Sequence, residues 1–203
     1  MTWDVLNIIG TIAFAISGAI IAMEEDYDIL GVFILGLATA FGGGLIRNIL
    51  IDLPVSQVWQ QDELIKIVLI VMTVIFFLPD GWIQFSRRWL NFFDAIGLST
   101  FAIQGALYAT DMELPLIAIV VAAVMTGSGG GVVRDLLAGR KPTVLRYDIY
   151  AVWAMIAGVV IGTGIVDQPW ELYTLGAVIV ILRMCSAIYN WKLPHRILQD
   201  YRS

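Results

Sequence analysis

Two glycine triplets, each followed by an arginine, carry the most chemistry in this sequence: Gly42-Gly43-Gly44 with Arg47, and Gly129-Gly130-Gly131 with Arg134. Each arginine stands about one helical turn beyond its triplet, and the next residue is again polar, Asn48 in one case and Asp135 in the other. The surroundings are apolar. An ionisable side chain in such a setting is by default a functional residue and needs a partner. Each glycine inside a helix costs about 1 kcal/mol relative to alanine. Three in succession therefore predict a loosened or broken helix, whose freed backbone groups must meet protein or water. Interrupted helices at matching places in two halves point to a binding or conduction site. Close helix packing through small residues is the competing reading, as for Gly127 with Gly131 and Gly158 with Gly162. Thr126 and Ser128 stand beside the second triplet as further polar groups. Asp94 caps a helix, lines the path, or holds an arginine of the other half. Arg183, midway along the last apolar segment, needs a carboxylate or carbonyl partner. Arg134 has a plainer alternative, snorkelling to an interface.

Catalysis finds no support. His195 is the single histidine and lies in a basic tail, and Lys66 is the one lysine near an apolar segment. No nucleophile–base pair stands out, so an enzyme is not expected. The run Gly127–Gly131 lacks the preceding strand and spacing of a phosphate-binding loop. Cys185 is alone, which excludes an intrachain disulfide and a cysteine metal pair. No cofactor is expected. With 12 basic and 17 acidic side chains, a net charge of −5 and no basic stripe, nucleic acid is not a partner.

The elements that position these residues follow from hydropathy. Of 203 residues 59% are hydrophobic and 14% charged, with a mean hydropathy of +0.84, against about 25% charged in soluble domains. Apolar stretches of roughly 18 to 20 residues, long enough to cross a bilayer, occur at Val5–Met23, Ile29–Ile46, Leu64–Leu78, Phe92–Ala109, Leu114–Val133, Ile149–Val166 and Leu172–Tyr189. The third is the weakest, being short and carrying Lys66. Such a chain is an all-α polytopic membrane protein, a single membrane domain over residues 1–203. With seven spans, nine of the twelve basic residues fall on one side, in Pro79–Asn91, Arg134–Tyr147 and the C-terminal tail. The excess of lysine and arginine on cytoplasmic loops then places the N-terminus outside the cell membrane and the C-terminus in the cytoplasm. The cluster Arg140, Lys141 and Arg146 suits anionic lipid headgroups, although topology alone accounts for it.

The halves are related by an internal repeat. An offset of 87 residues aligns Asn7–Leu50 with Asp94–Leu137 without a gap, giving 14 identities in 44 positions. Ile9-Gly10 meets Ile96-Gly97, Phe14-Ala15-Ile16 meets Phe101-Ala102-Ile103, and Thr39, the triplet and Arg47 meet Thr126, the triplet and Arg134. Each unit holds three spans, repeat one over about 5–78 and repeat two over about 92–166, with a seventh helix at 172–189. An odd number of spans per unit inserts the two copies in opposite orientation, the inverted-repeat plan of proteins that move solutes.

The stretches Ile9–Gly18 and Phe41-Gly42-Gly43-Gly44-Leu45-Ile46-Arg47-Asn48, with Asp94–Gly97 and Thr126–Asp135 in the second unit, resemble the TRIC family of trimeric intracellular cation channels in its prokaryotic branch. The likeness runs from the first span through the seventh. It implies a homotrimer with a water-filled pore through each protomer, passing monovalent cations, chiefly potassium and also sodium. It further implies that Gly42–Gly44 and Gly129–Gly131 kink the helices at the pore centre, and that Arg47 and Arg134 join hydrogen-bond networks that hold the pore closed. Asn48 stands where the second repeat has Asp135, so the two gates need not be electrostatically equivalent. Arginines beside a pore disfavour cations unless carboxylates such as Asp94 and Asp135 neutralise them. The alternative function is transport of glycine or another small zwitterion, with broken-helix ends facing its charged groups.

Overall fold

The computed structural model of the chain describes residues 2–79, 86–146 and 149–194. His195 and the rest of the C-terminal tail beyond residue 194, which entered the count of basic residues by side, lie outside the described residues. Among the described residues there are seven α-helices: α1 (Thr2–Glu24), α2 (Ile29–Leu50), α3 (Asp62–Phe76), α4 (Ser86–Asp111), α5 (Leu116–Leu137), α6 (Ala151–Gly162) and α7 (Pro169–Ile188). Short 3₁₀ turns, Val55–Gln60 and Thr143–Leu145, follow α2 and α5. The helices match the seven expected spans in order. Five of them, α1, α2, α4, α5 and α7, are long and apolar enough to cross a membrane.

The third helix of each repeat is the exception. α3 has 15 residues and α6 has 12, about 22 Å and 18 Å of helix against a hydrocarbon core of about 30 Å. The expected spans Leu64–Leu78 and Ile149–Val166 are therefore only partly helical. At the end of α6, Gly164 adopts a left-handed conformation (φ 68°), which stops the helix before the apolar run ends. Hydropathy sees composition and misses such a stop.

The repeat extends into the backbone of the turns. Asp26 (φ 56°) ends α1 as Glu113 (φ 55°) ends α4, and Asp52 (φ 57°) follows α2 as Gly139 (φ 69°) follows α5; each pair is 87 residues apart. Amides close the turns alike: Tyr27 N–H donates to the Ala22 carbonyl at 2.9 Å and Leu114 N–H to that of Ala109 at 3.1 Å. Asp28 caps α2 by accepting from Gly31 N–H at 2.8 Å, whereas α5 is preceded by Pro115.

α1 packs on α4 and α2 on α5, so each of these two contacts joins a helix to its repeat mate. α3 lies against α1 and α2, α6 against α4 and α5, and α7 against α4. One buried apolar cluster belongs mostly to the first repeat, around Ile21, Val32, Leu35, Val68 and Met72. A second, around Leu98, Ile103, Trp153 and Ile179, belongs mostly to the second repeat and α7, with Leu6 and Ile51 joining it from the first. Large apolar side chains such as Leu30, Ile34, Ile117 and Ile181 point outward, the arrangement of a multi-pass membrane protein in which lipid is the outer solvent.

Candidate functional site

The glycine triplets lie where α2 and α5 touch. Neither interrupts its helix: α2 is continuous from Ile29 to Leu50 and α5 from Leu116 to Leu137. The expected break is absent because the glycines serve backbone contact. A Cβ on Gly43 would overlap the carbonyl oxygen of Thr126, and one on Gly130 would overlap that of Thr39. The two contacts are images of each other under the repeat. Gly42 and Gly129 face Val133 and Ile46 of the opposite helix. The third glycines behave differently. A Cβ on Gly44 would meet only the Arg47 guanidinium, at 3.9 Å, and one on Gly131 would lie 3.1 Å from the Tyr150 hydroxyl and 3.6 Å from an Asp94 carboxylate oxygen. Close packing thus accounts for the first two glycines of each triplet, and the third borders a polar chamber.

Thr126 and Ser128 hydroxyls turn back on their own helix, donating to the carbonyls of Ala122 and Val124 at 2.6 Å each. Thr39 does the same with Leu35, also at 2.6 Å. These hydroxyls are occupied by the helix that carries them.

At one end of the crossing lies a chamber of about 470 Å³, lined among others by Glu24, Asp94, Arg134, Asp135, Arg140 and Arg183. Arg134 is its centre and is buried, 3% exposed, so it does not snorkel. Its Nη1 donates to Asp94 Oδ1 at 2.7 Å and to Ser17 Oγ. Its Nε and Nη2 both donate to Asp135 Oδ1, at 2.9 and 2.8 Å. Helical spacing alone does not require that neighbour contact; the long arginine stem folds back to make it. Asp135 Oδ2 in turn accepts from the Thr143 amide at 2.9 Å and hydroxyl at 3.1 Å, anchoring the turn after α5. Asp94 therefore holds the arginine of its own repeat, while Ser17 supplies the contact from the other. Arg183, also buried, has its guanidinium carbon 4.9 Å from the centre of the Tyr150 ring, a cation–π contact, and its Nη1 lies 3.5 Å from Ser186 Oγ. Arg183, expected to need a carboxylate or carbonyl partner, makes no salt bridge among the described residues and borders the same chamber as Asp94 and Asp135. At its rim Arg140 pairs with Glu24 at 3.0 Å and Glu25 at 2.5 Å. Burial alone would lower the Arg140 pKa, but the hydrogen bonds to Glu25 and Glu24 outweigh it and raise it.

The opposite end repeats the plan with amides in place of the carboxylates. Arg47, 6% exposed, donates from Nε and Nη2 to Asn48 Oδ1 at 3.0 and 2.8 Å, as Arg134 does to Asp135. Asn48 Nδ2 donates to the Pro54 carbonyl at 3.0 Å, fixing the turn after α2. The Arg47 guanidinium carbon stands 3.9 Å from the centre of the Tyr108 ring. The chamber here is only about 20 Å³, bordered by Asn7, Thr11, Gly44, Arg47, Gln61 and Gln104.

Between the chambers along α1 and α4 stand Phe14 and Phe101, repeat mates whose ring centres lie 5.3 Å apart. Both are buried, and Phe14 fills the space beside Gly97 and Gly130. Sequence reasoning paired these rings as repeat mates without placing them at the site. The same alignment held the signal, since an aromatic kept in both copies at mid-helix belongs on the axis relating them. Ser17, Tyr108 and Tyr150 gave no comparable signal, because their partners are distant in the chain or polar only in part.

A family model described as glycine transporter matches residues 4–80 and 91–164. The two matched stretches begin 87 residues apart, the repeat offset. UPF0126 membrane protein YvgT from Bacillus subtilis (strain 168) is 57% identical over 196 residues, covering 97% of each chain. The fold is similar to that of a prokaryotic TRIC channel crystallised in 0.5 M KCl, with TM-score 0.84 and 33% identity over 94% of this chain and 98% of that one. It is also similar to the TRIC trimeric intracellular cation channel orthologue from Rhodobacter sphaeroides, with TM-score 0.80 and 28% identity over 93% and 98% of the respective chains. On sequence and fold together, the chain belongs to the UPF0126 family of membrane proteins, the prokaryotic branch of the TRIC family.

Proposed function

We propose that this protein is a channel for monovalent cations, potassium and also sodium, with one path through each protomer of a homotrimer. The observation that carries the reading is the pair of polar chambers at opposite ends of one pseudo-symmetric crossing, parted by the Phe14–Phe101 pair and the α2–α5 contact. The likeness to TRIC cation channels supports the kind of solute and the trimer. In this reading the third glycines, Gly44 and Gly131, line the path. The bonds from Arg134 to Ser17 and Asp94 tie α5 to α1 and α4 and hold it shut, and the small volume on the Arg47 side corresponds to a closed path. The Arg134 chamber faces the cytoplasm, as the distribution of basic residues favours, with the N-terminus outside. Arg140 is engaged by Glu24 and Glu25, which leaves Lys141 and Arg146 for anionic headgroups.

Recording from purified protein in planar bilayers tests the proposal. Unitary currents whose reversal potential follows the potassium gradient are expected. Electrically silent membranes combined with saturable glycine uptake would overturn it in favour of the small-zwitterion carrier that the family description suggests.

A further inference from the structure

The two chambers differ in one chemical respect. Around Arg134 the repeat places Asp94, Ser17 and Asp135; at the corresponding positions around Arg47 it places Asn7, Gln104 and Asn48. Both carboxylates have become amides. Arg47 is buried and makes no ion pair among the described residues, its contacts being Asn48 Oδ1 and the face of Tyr108. A buried guanidinium without an anion is costly, because desolvation of the charge is not repaid by a partner. Beside it, Gln104 is 2% exposed and its Nε2 has no hydrogen-bond partner, again a costly state for a buried donor. Both side chains border the same chamber of about 20 Å³. About 10–15 Å³ is the least volume that holds one water, so the space is of the scale of a single water or a monatomic ion.

We infer that the Arg47 chamber is a binding site for one small monovalent anion of the halide class, held by the Arg47 guanidinium and the Gln104 amide. The bound ion supplies the negative charge that Asp94 and Asp135 provide permanently at the other end. It thereby removes a bare positive charge from one side of the crossing. The inference concerns occupancy of the chamber and stands apart from whether the protein conducts.

Thermal unfolding of the purified full-length protein in detergent, in sodium chloride, sodium bromide or sodium gluconate at equal ionic strength, tests it. A ligand that binds only the folded state raises Tm by mass action. A saturable rise of about 2–6 °C in chloride and bromide over gluconate is expected for the unaltered protein. Arg47→Gln removes the cation and abolishes the rise. Asn7→Asp restores the carboxylate found at the mate position, satisfies Arg47 internally, and abolishes it as well while retaining the arginine; if Arg47→Gln does not fold, Asn7→Asp decides. Equal Tm in all three salts, or a halide effect that survives in Asn7→Asp, overturns the proposal. Neither result bears on currents, so failure here and failure of the channel reading are separable.

Discussion

The asymmetry between the two arginines sets what each costs to remove. Arg134 neutralises Asp94 and Asp135 directly, and without it two buried carboxylates face each other with only Arg183 across the chamber. Removing one partner of a buried pair typically costs about 3–5 kcal/mol, because the remaining charge is left uncompensated. Arg47 leaves no carboxylate behind; its loss forfeits the cation–π contact with Tyr108 and two hydrogen bonds to Asn48 but also relieves the desolvation of a charge that has no anionic partner, so the net cost is no more than about 1–2 kcal/mol. Arg134→Gln is therefore expected to lower stability well beyond Arg47→Gln, measured by thermal or denaturant unfolding in the same detergent. Equal losses would mean that the two guanidiniums see equivalent fields and that the carboxylate pairing is not what holds Arg134. The sequence already showed both arginines, their spacing and the Asn48/Asp135 difference. It could not show that Asp94, forty residues upstream, reaches its own repeat's arginine, because that contact exists only once α4 and α5 are packed.

At the level of the helix pair, each glycine has a distinct task. Gly43 and Gly130 let two backbones meet where any Cβ would strike a carbonyl oxygen, an atom that cannot rotate away. Gly44 has open space at its Cβ apart from the Arg47 guanidinium, 3.9 Å away. Gly43→Ala should thus overpack the crossing and cost about 1–3 kcal/mol. Gly44→Ala gains up to about 1 kcal/mol of helix propensity and leaves the fold intact, its effect confined to current amplitude or open probability. Unfolding measurements on both variants, with bilayer recording of the second, separate the roles; a stable Gly43→Ala would show that the crossing is loose. The triplets were legible in the sequence as a special feature, yet the predicted break was not formed. Three glycines lower helix propensity, but dense contact across α2 and α5 outweighs that loss. The short lengths of α3 and α6 escaped the sequence for a related reason, since hydropathy continues where the backbone stops.

For the molecule as a whole, the decisive property is that the two three-helix units are copies placed upside down. The 87-residue offset, the paired left-handed turns and the mirrored Gly43–Thr126 and Gly130–Thr39 contacts all express one pseudo-two-fold relation. An inverted arrangement has a consequence that a parallel one lacks: repeat mates in the loops must lie on opposite sides of the bilayer. Glu25, in the turn after α1, and Met112, in the turn after α4, are such mates and both lie toward the surface. In a Cys185→Ser background, a membrane-impermeant maleimide applied to intact cells should label Met112→Cys and leave Glu25→Cys unlabelled until the membrane is opened. Glu25→Cys sacrifices one partly exposed contact to Arg140, worth about 0–1 kcal/mol, so both variants should fold. Labelling of both positions from the same side would refute the inverted repeat. The reverse pattern, with Glu25→Cys reactive from outside, would keep the repeat and turn the proposed orientation over, placing the 470 Å³ chamber and its Arg134 cluster at the outer surface.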